Sequence, residues 1–186
     1  MLYQRFQTPM GSCGIAWHRA GLTRVLLPER STDVLDELMR KLGYRPAPHV
    51  LPADAGRSSE VLSAYLDGEA VSFDEFRLDW SGTPPFARRV YQTLRKLQRG
   101  STTTYGDLAR QVGNPSAARA IGVAMSTNPW PIIIPCHRVL ASSGKIGGFS
   151  ATDGANTKRR LLQIERVELP SPVVRDLFDA DPSNLP

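Results

Sequence analysis

The sequence predicts an α+β protein, with a mixed N-terminal part and a mainly helical C-terminal part. Two strand-like segments flank a glycine turn near the N-terminus, and helical stripes follow Trp80. The charge changes there too, because residues 1–79 carry 9 basic and 11 acidic side chains and residues 80–166 carry 13 and 3. We therefore expect domains at 1–79 and 80–169 and a tail at 170–186.

The N-terminal part is predicted to open with a β-hairpin and a helix. Residues 14–18 and 22–27 have strand-like composition, and Gly21 lies in the short turn between them. After Ser31, a residue type that caps helices, apolar side chains recur at helical spacing as far as Gly43. The stripe consists of Leu35, Leu38, Met39 and Leu42.

A loop, a second helix and a strand are predicted to complete this part. The loop is the proline-rich stretch 46–56. Ser58 or Ser59 begins the helix, which stops at Gly68. Its apolar side consists of Val61, Leu62, Tyr65 and Leu66. Residues 71–78 are predicted to form the strand.

The C-terminal part is predicted to begin with a helix that starts near Pro84, where proline is tolerated, and stops at Gly100. Its apolar stripe consists of Phe86, Val90, Leu94 and Leu97. A second helix follows Thr104, because Thr104 and Asp107 match a capping box with Asp in place of Glu.

A turn at 113–115 leads to a third helix, which Ser116 is predicted to cap and which runs to about Thr127. Helix, short glycine-containing turn and helix form the helix-turn-helix pattern. Residues 117–125 are small or apolar apart from Arg119, so this helix has little with which to read bases in the major groove.

A last helix and a tail are predicted to end the chain. Thr157 is the expected cap of a helix that runs to about Arg166 and turns Leu161 and Leu162 inward. Residues 170–186 are predicted to be a poorly ordered tail without a catalytic role.

The stretch most suited to chemistry is a Cys-His pair. Residues 132–134 are three isoleucines, a predicted buried strand that Pro135 ends because proline donates no N–H. Cys136 and His137 follow at once. A cysteine becomes a strong nucleophile as the thiolate, which an imidazole or a positive setting favours. Neighbours on an extended chain point to opposite sides, so His137 reaches the sulfur only through a turn or a water. A small buried cysteine beside a structural histidine is the alternative.

The flanks of this pair are similar to one family. Asn-Pro-Trp-Pro lies at 128–131, Pro-Cys-His-Arg-Val at 135–139 and Gly-Lys-Ile-Gly-Gly-Phe-Ser at 144–150. Together they resemble the active-site signature of the O6-alkylguanine-DNA alkyltransferases, which are direct-reversal DNA repair proteins. The resemblance runs from about Pro84 to Glu165 and is weaker over the N-terminal half.

This resemblance implies a ribonuclease H-like domain at 1–79 and a winged helix-turn-helix domain at 80–169. The small-residue helix would enter the minor groove, where little base-specific reading is possible. The implied partner is double-stranded DNA containing O6-alkylguanine, and neither a cofactor nor a second subunit is expected. The positive charge of residues 80–166 fits a polyanionic partner.

The resemblance also implies roles in flipping a base out of the duplex, which chemistry on a base requires. Arg119 would enter the base stack, and Tyr105 would force rotation of the 3′ phosphate. Thr104, Ser116 and Ala118 would contact the DNA as well.

The implied base pocket consists of Tyr105, Met125, Pro131, Val139, Phe149 and Ser150. The backbone carbonyls of Cys136 and Val139 would accept from the exocyclic amine of guanine, while Tyr105 and the Ser150 N–H donate to the ring nitrogen and O6. Phe149 stands where relatives often have tyrosine, so stacking is kept and a hydroxyl is lost.

The implied reaction is an in-line displacement in which Cys136 takes the alkyl group from O6-alkylguanine, or from O4-alkylthymine. His137 would act as the base through a water, and Glu165 would orient it, as in other triads of nucleophile, base and orienter. Asn128 would tie the DNA-binding helices to this segment. The thioether product has no route back, so each molecule would act once.

Other functional classes remain open at this stage. A cysteine hydrolase holds its Cys and His on separate elements, which adjacent residues do not match. A binding-only lesion sensor would have Trp in place of Cys136. A DNA-binding regulator would need better means of sequence readout than residues 117–125 provide.

The sequence also indicates the setting in which the chain works. It has no long apolar run and no charged-then-apolar start, so we expect no membrane span, no secretory signal and a location in the cytoplasm with the nucleoid. Cys13 and Cys136 are then expected to be reduced. Cys13, His18 and His49 have no recognisable ligand spacing, so no metal is expected.

Overall fold

The computed structural model describes residues 1–48 and 53–168. His49 and the predicted tail at 170–186 lie outside the described residues. Within them the protein has a mixed α/β architecture. None of the described helices combines the length and the apolar character that crossing a bilayer requires.

The N-terminal part is built on a four-stranded sheet with the strand order β3-β2-β1-β4. The strands are β1 (Leu2–Thr8), β2 (Gly11–His18), β3 (Gly21–Leu26) and β4 (Arg45–Pro46). The first three pair antiparallel, and β4 pairs parallel to β1. The predicted hairpin is confirmed, because β2 and β3 meet at a turn in which Gly21 has a φ of +135°. A side chain at Gly21 would collide with the Arg77 carbonyl.

Two helices pack against this sheet: α1 (Thr32–Lys41) and α2 (Ala53–Leu66). Ser31 caps α1 as predicted, accepting a hydrogen bond from the Val34 N–H at 3.3 Å. Leu42 was expected to be inward but is 40% exposed, because α1 ends before it and the chain turns at Gly43. The predicted start of α2 at Ser58 or Ser59 is wrong, since five residues before Ser58 are already helical.

Residues 71–78, all of them described, do not form the predicted strand. The Ser72 hydroxyl accepts from the Asp74 N–H, which turns the chain. Phe73 and Phe76 both pack against the core, with ring centroids 5.8 Å apart. Leu78 alone of this stretch forms an isolated bridge, to Leu22.

The C-terminal part consists of four helices, a short 3-10 helix at Cys136–Arg138 and a small parallel ladder. The helices are α3 (Pro85–Arg95), α4 (Tyr105–Gln111), α5 (Ala118–Ser126) and α6 (Ala155–Ile164), and the ladder pairs β5 (Thr103–Thr104) with β6 (Val139–Leu140). Helices α4 and α5 pack against each other and α3 packs on both.

One of the three predicted caps in this part is confirmed. The Thr104 hydroxyl accepts from the Asp107 N–H at 3.1 Å at the start of α4. Ser116 does not cap α5, because its hydroxyl donates to the Asn114 side chain and Ala117 holds the cap position. Thr157 does not cap α6 either, because the helix begins two residues earlier and the buried Thr157 hydroxyl donates to the Thr152 carbonyl.

The three isoleucines 132–134 are buried as predicted, but they form a turn rather than a strand. The Ile134 N–H donates to the Trp130 carbonyl at 2.8 Å, and Ile132 has a φ of +75°. A β-branched residue adopts this left-handed conformation only where the surroundings hold it there. The turn carries the chain directly into the 3-10 helix that begins at Cys136.

The two parts share one core, which contains residues from the sheet, α2 and the C-terminal helices. Trp130 lies at this junction, 1% exposed, and its indole N–H donates to the Leu22 carbonyl at 2.9 Å. The Val25 N–H donates to the Pro129 carbonyl at 2.8 Å. These two hydrogen bonds fix the segment before Cys136 against β3.

Candidate active site

Cys136 lies at the first position of the 3-10 helix and is 5% exposed. Asn128 holds this position from the end of α5. Its amide nitrogen donates to the Ile134 carbonyl at 2.9 Å and lies 3.2 Å from the Cys136 sulfur, while its oxygen accepts from the Trp130 N–H at 3.0 Å. Asn128 therefore joins the end of α5, the isoleucine turn and the thiol.

The polar groups around Cys136 work against the effect of its burial. Burial raises the pKa of the thiol, because a thiolate loses its hydration there. The Asn128 amide, the positive charge of Lys158 and the backbone N–H groups of Cys136 and His137 all act to lower that pKa. The site thus offers hydrogen bonds and positive charge to a thiolate that bulk water does not reach.

Lys158 is a site residue that the sequence did not reveal. It lies on α6 and is fully buried, which is rare for lysine unless the ammonium has partners. Its ammonium donates to the Val139 carbonyl at 2.5 Å. Burial lowers the pKa of Lys158 to about 8, although a negative charge on Cys136 acts to raise it. Near neutral pH the lysine is therefore still largely protonated.

The fold brings together His137 and Glu165, which are 28 residues apart in sequence. The His137 Nε2 lies 2.9 Å from the Glu165 Oε1, and both side chains are buried. A carboxylate accepts and does not donate, so Nε2 carries the proton. The His137 Nδ1 has no partner among the described protein atoms. Burial lowers the pKa of His137, and Glu165 opposes that effect, so a neutral imidazole with a free Nδ1 fits the site.

Glu165 is held by a network that sequence reasoning found only in part. Arg138 donates from Nε to one carboxylate oxygen at 2.8 Å and from Nη2 to the other at 2.7 Å. The Tyr65 hydroxyl donates to the same carboxylate at 2.5 Å. Burial acts to raise the pKa of Glu165, but the bonds from His137 and Arg138 outweigh it and hold that pKa well below its usual range. Glu165 is consequently a fixed negative charge behind His137.

Tyr105 is the first residue of α4 and is half-buried. Burial raises the pKa of its hydroxyl, and a charge on Cys136 raises it further. The backbone of Gly147 lies against its ring, since a Cβ at Gly147 would be 3.6 Å from the hydroxyl oxygen. Tyr105 thus lies between the cysteine and the glycine-rich segment 144–150.

The other predicted pocket residues have graded exposure. Met125 and Val139 are buried, Pro131 and Phe149 are half-buried, and Ser150 is exposed. Phe149 packs against the core cluster that contains Cys136. These placements are compatible with a pocket wall, and the predicted roles of the individual residues stay predictions.

The predicted DNA contacts lie on one helical pair. Arg119 and Ala118 are exposed in the first turn of α5, and Ser116 is exposed just before it. Thr104 caps α4, directly before Tyr105. No side chain of α5 is acidic, so this surface offers a duplex only the Arg119 charge and small residues.

The described residues contain no cluster of three histidine, cysteine or carboxylate side chains that could hold a metal ion. Cys13 is buried in β2, 3.8 Å from the Thr8 hydroxyl, and His18 lies at the end of the same strand.

Three buried residues of the site were missed from the sequence: Tyr65, Arg138 and Lys158. Arg138 directly follows the Cys-His pair. An arginine next to a segment that is predicted to be buried needs a partner, and this need was an available signal in the sequence. Lys158 lies seven residues before Glu165 on an otherwise inward helical position, which was a weaker signal. Tyr65 gave none, because only the fold brings α2 to the 3-10 helix.

Comparison with known proteins gives consistent matches. Residues 85–167 match the family model described as 6-O-methylguanine DNA methyltransferase, DNA binding domain. The methylated-DNA–protein-cysteine methyltransferase of Mycobacterium tuberculosis is 37% identical over 180 residues, which are 95% of this chain and 98% of that protein. The protein of the same name from Salmonella typhimurium is 33% identical, with 89% and 95% of the two chains covered.

Solved structures agree with the sequence matches. The crystal structure of Mycobacterium tuberculosis OGT in complex with DNA superposes with a TM-score of 0.74 and 35% identity, covering 92% of this chain and 96% of that one. The O6-methylguanine-DNA methyltransferase of Pyrococcus kodakaraensis gives a TM-score of 0.66 and 31% identity, with 89% and 98% covered. The similarity therefore extends through both parts of the fold.

Proposed function

Because the chain belongs to the O6-alkylguanine-DNA alkyltransferase family, we propose that Cys136 is the residue that accepts the alkyl group. The chain is a direct-reversal DNA repair enzyme, and its partner is DNA. The observation that carries the assignment to Cys136 is its position beside Asn128, Lys158 and the buried His137–Glu165 pair. This is the constellation of nucleophile, base and orienting carboxylate that thiol chemistry needs.

The reaction we propose is a displacement at the alkyl carbon. The thiol proton passes to the free Nδ1 of His137 through a bridging water, and Glu165 stabilises the imidazolium. The thiolate of Cys136 forms the carbon–sulfur bond as the bond from the carbon to O6 breaks. Guanine leaves with that electron pair and takes a proton from the Tyr105 hydroxyl, which regains one from solvent as His137 releases the thiol proton. A thioether has no route back, so one molecule repairs one lesion.

Access to the base requires that the nucleotide leave the duplex. Arg119 is exposed on α5, a helix of small residues that is narrow enough for a minor groove. Tyr105 lies at the end of α4 nearest to the glycine-rich segment. In this proposal Arg119 fills the gap that the flipped base leaves in the stack. Tyr105 forces the rotation of the 3′ phosphate. Thr104, Ser116 and Ala118 are assigned to the DNA backbone.

The finer assignments of architecture and setting belong to the same proposal. Residues 1–79 form a ribonuclease H-like domain, and residues 80–169 form a winged helix-turn-helix domain. The sheet with α1 and α2 supports the first, and the packed pair α4 and α5 supports the second. The protein acts as a monomer without a cofactor, in the cytoplasm on nucleoid DNA.

The base pocket of this proposal reads guanine largely through the backbone. The carbonyls of Cys136 and Val139 accept from the exocyclic amine, and the Ser150 N–H donates to O6. Lys158 supports this assignment, because its bond to the Val139 carbonyl at 2.5 Å fixes that group in place. Met125, Pro131 and Phe149 supply the apolar walls.

One experiment separates this function from a binding-only lesion sensor and a DNA-binding regulator. A duplex that contains O6-methylguanine with a labelled methyl group is mixed, in molar excess, with the protein. Transfer of one label per protein, with guanine restored in the DNA, supports the proposal. Tight binding with the label left on the DNA would support a sensor, and binding to one operator sequence without a lesion would support a regulator.

A further inference from the structure

Tyr65 links the N-terminal part to the candidate active site. It lies on α2, 72 residues before His137, and is 1% exposed. Its hydroxyl oxygen is 2.5 Å from the Glu165 Oε1 and 3.2 Å from the His137 Nε2. The ring packs edge-on against Phe73, with centroids 5.5 Å apart, and the Arg99 guanidinium lies 5.5 Å from its centroid.

The direction of these hydrogen bonds follows from the chemistry of the groups. Glu165 is a carboxylate and only accepts, so the Tyr65 hydroxyl donates to it. The lone pairs of the Tyr65 oxygen then face the Nε2–H of His137. Three donors therefore share one carboxylate oxygen, Glu165 Oε1: the Tyr65 hydroxyl, the His137 ring and the Arg138 guanidinium. Among these three donors, Tyr65 is the only one that comes from residues 1–79.

We infer that Tyr65 is a positioning residue for alkyl transfer. It holds the Glu165 carboxylate and takes up part of its negative charge, which limits the pull of Glu165 on the His137 proton. His137 then stays neutral with Nδ1 free to accept the thiol proton. This inference rests on the proposed function, and it gives the N-terminal part a share in the chemistry beyond packing.

The charges around His137 determine the direction of the expected effect. Burial lowers the pKa of His137, Glu165 raises it, and the positive charges of Arg138 and Lys158 lower it. Arg99 faces the network from above the Tyr65 ring, and Cys136 is the adjacent residue. Loss of the Tyr65 hydroxyl makes the Glu165 carboxylate more basic, so His137 keeps its second proton to a higher pH.

The test compares Tyr65→Phe with Tyr3→Phe in the full chain. Tyr3 is a matched control, because it is also buried and donates to a carboxylate, Asp36, at 3.0 Å, away from the site. The rate of benzyl transfer from free O6-benzylguanine is followed between pH 5 and pH 8. We expect Tyr65→Phe to slow transfer roughly tenfold at pH 6 and by much less at pH 8. Tyr3→Phe should follow the wild-type profile.

A second measurement does not depend on activity or on how well the variant folds. Nitrogen-15 NMR of labelled histidine in the wild-type protein, with His137 assigned by its absence in His137→Gln, should show the Nε2–H tautomer at pH 7. A protonated Nδ1 would overturn the inference. So would a Tyr65→Phe profile that is lowered equally at every pH, because a packing defect behaves in that way. A wild-type protein that transfers no benzyl group would instead contradict the proposed function, while the NMR result still tests the Tyr65 network.

Discussion

The two buried cysteines, in β2 and at the start of the 3-10 helix, differ in the polar groups around them, although burial raises the pKa of both thiols. Cys13 is 1% exposed and Cys136 is 5% exposed, so burial does not distinguish them. Around Cys13 the Thr8 hydroxyl at 3.8 Å is the polar group that acts to lower the thiol pKa, and burial raises that pKa to about 12. Cys136 has an amide, an ammonium and two backbone N–H groups that act to lower its pKa. Neighbouring polar groups, rather than the degree of burial, therefore distinguish the cysteine that we expect to be reactive.

Removal of each thiol in turn should give the largest difference between the two cysteines. Cys136→Ser should lose transfer completely and still bind duplex DNA, because an alcohol is much harder to ionise than a thiol. Cys13→Ser should transfer at the wild-type rate. The measurement is label transfer from an O6-methylguanine duplex, together with a binding assay for the serine variants. Methyl transfer by Cys136→Ser would refute the assignment.

The next largest effect should come from the base that serves Cys136 and has no counterpart at Cys13. His137→Ala should slow transfer roughly a hundredfold or more, as loss of a general base commonly does. Since His137 acts on the thiol, the defect should be equal for the duplex and for free O6-benzylguanine. Single-turnover rates on both substrates check this, and a defect confined to the duplex would move His137 to a DNA-binding role.

Arg119→Ala tests whether the reactivity of Cys136 is independent of base flipping. Arg119 is exposed on α5 and no contact joins it to the thiol network, among the contacts described for residues 1–48 and 53–168. Unstacking a base costs a few kcal/mol, and about 1.4 kcal/mol is tenfold in rate. Duplex repair should therefore slow roughly tenfold or more, while the free base reacts normally. Arg40→Ala, an exposed arginine on α1, is the control.

If Arg119→Ala slowed both substrates equally, Arg119 would belong to folding or pocket support. Tyr105→Ala provides the intermediate case. It should slow duplex repair as Arg119→Ala does. It should also slow the reaction with free O6-benzylguanine, because in the proposed pocket the Tyr105 hydroxyl donates to the guanine ring. The rates of the two variants on the duplex and on the free base show how far base flipping can be separated from alkyl transfer.

Lys158→Met removes the positive charge near Cys136 and so tests how much that charge contributes to the reactivity of the thiol. We expect a loss of rate of roughly several-fold at pH 7, because the thiolate loses a stabilising charge. The difference from wild type should shrink above pH 8, where wild-type Lys158 loses its proton, since its pKa is about 8. Rates on free O6-benzylguanine from pH 6.5 to pH 9.5 measure this. Lys96→Met, at an exposed position, is the control.

Replacement of Lys158 should also change how the stability of the protein depends on pH. The pKa of Lys158 is lowered from 10.5 to about 8 in the folded state, so the unfolded chain binds more protons between these values. The free energy of unfolding of the wild type should therefore rise, relative to Lys158→Met, as pH increases from 8 to 10.5. Urea unfolding at both pH values tests the sign. A constant difference would mean that Lys158 has an ordinary pKa in the folded protein.

Local signals predicted the elements whose residues act on near neighbours. Ser31 and Thr104 cap their helices as expected, and Gly21 makes the hairpin turn. The strand predicted at 71–78 failed because Phe73 and Phe76 reach the core from a turn that Ser72 initiates. The isoleucines 132–134 failed for a related reason, since their burial was predicted correctly but the turn is imposed by contacts with Trp130.

The candidate site divides in the same way. Cys136, His137 and Asn128 lie within ten residues, so a short motif was enough to find them. Glu165 was assigned only through the family resemblance, because no local signal joins it to His137. Tyr65 and Lys158 approach the site from helices α2 and α6, and nothing in the sequence near either residue marks that approach. Residues that reach the site only through tertiary contacts could be identified only from the structure.

The most direct test of the account is the intact mass of the full chain after reaction with O6-benzylguanine, followed by peptide mapping. The account predicts a single benzyl adduct, carried by Cys136, with Cys13 unmodified in the same molecules. Prior alkylation of the protein by a methylated duplex should prevent the adduct. A benzyl group on Cys13, on both cysteines or on neither would contradict the claim that the surroundings of Cys136 make it the alkyl acceptor.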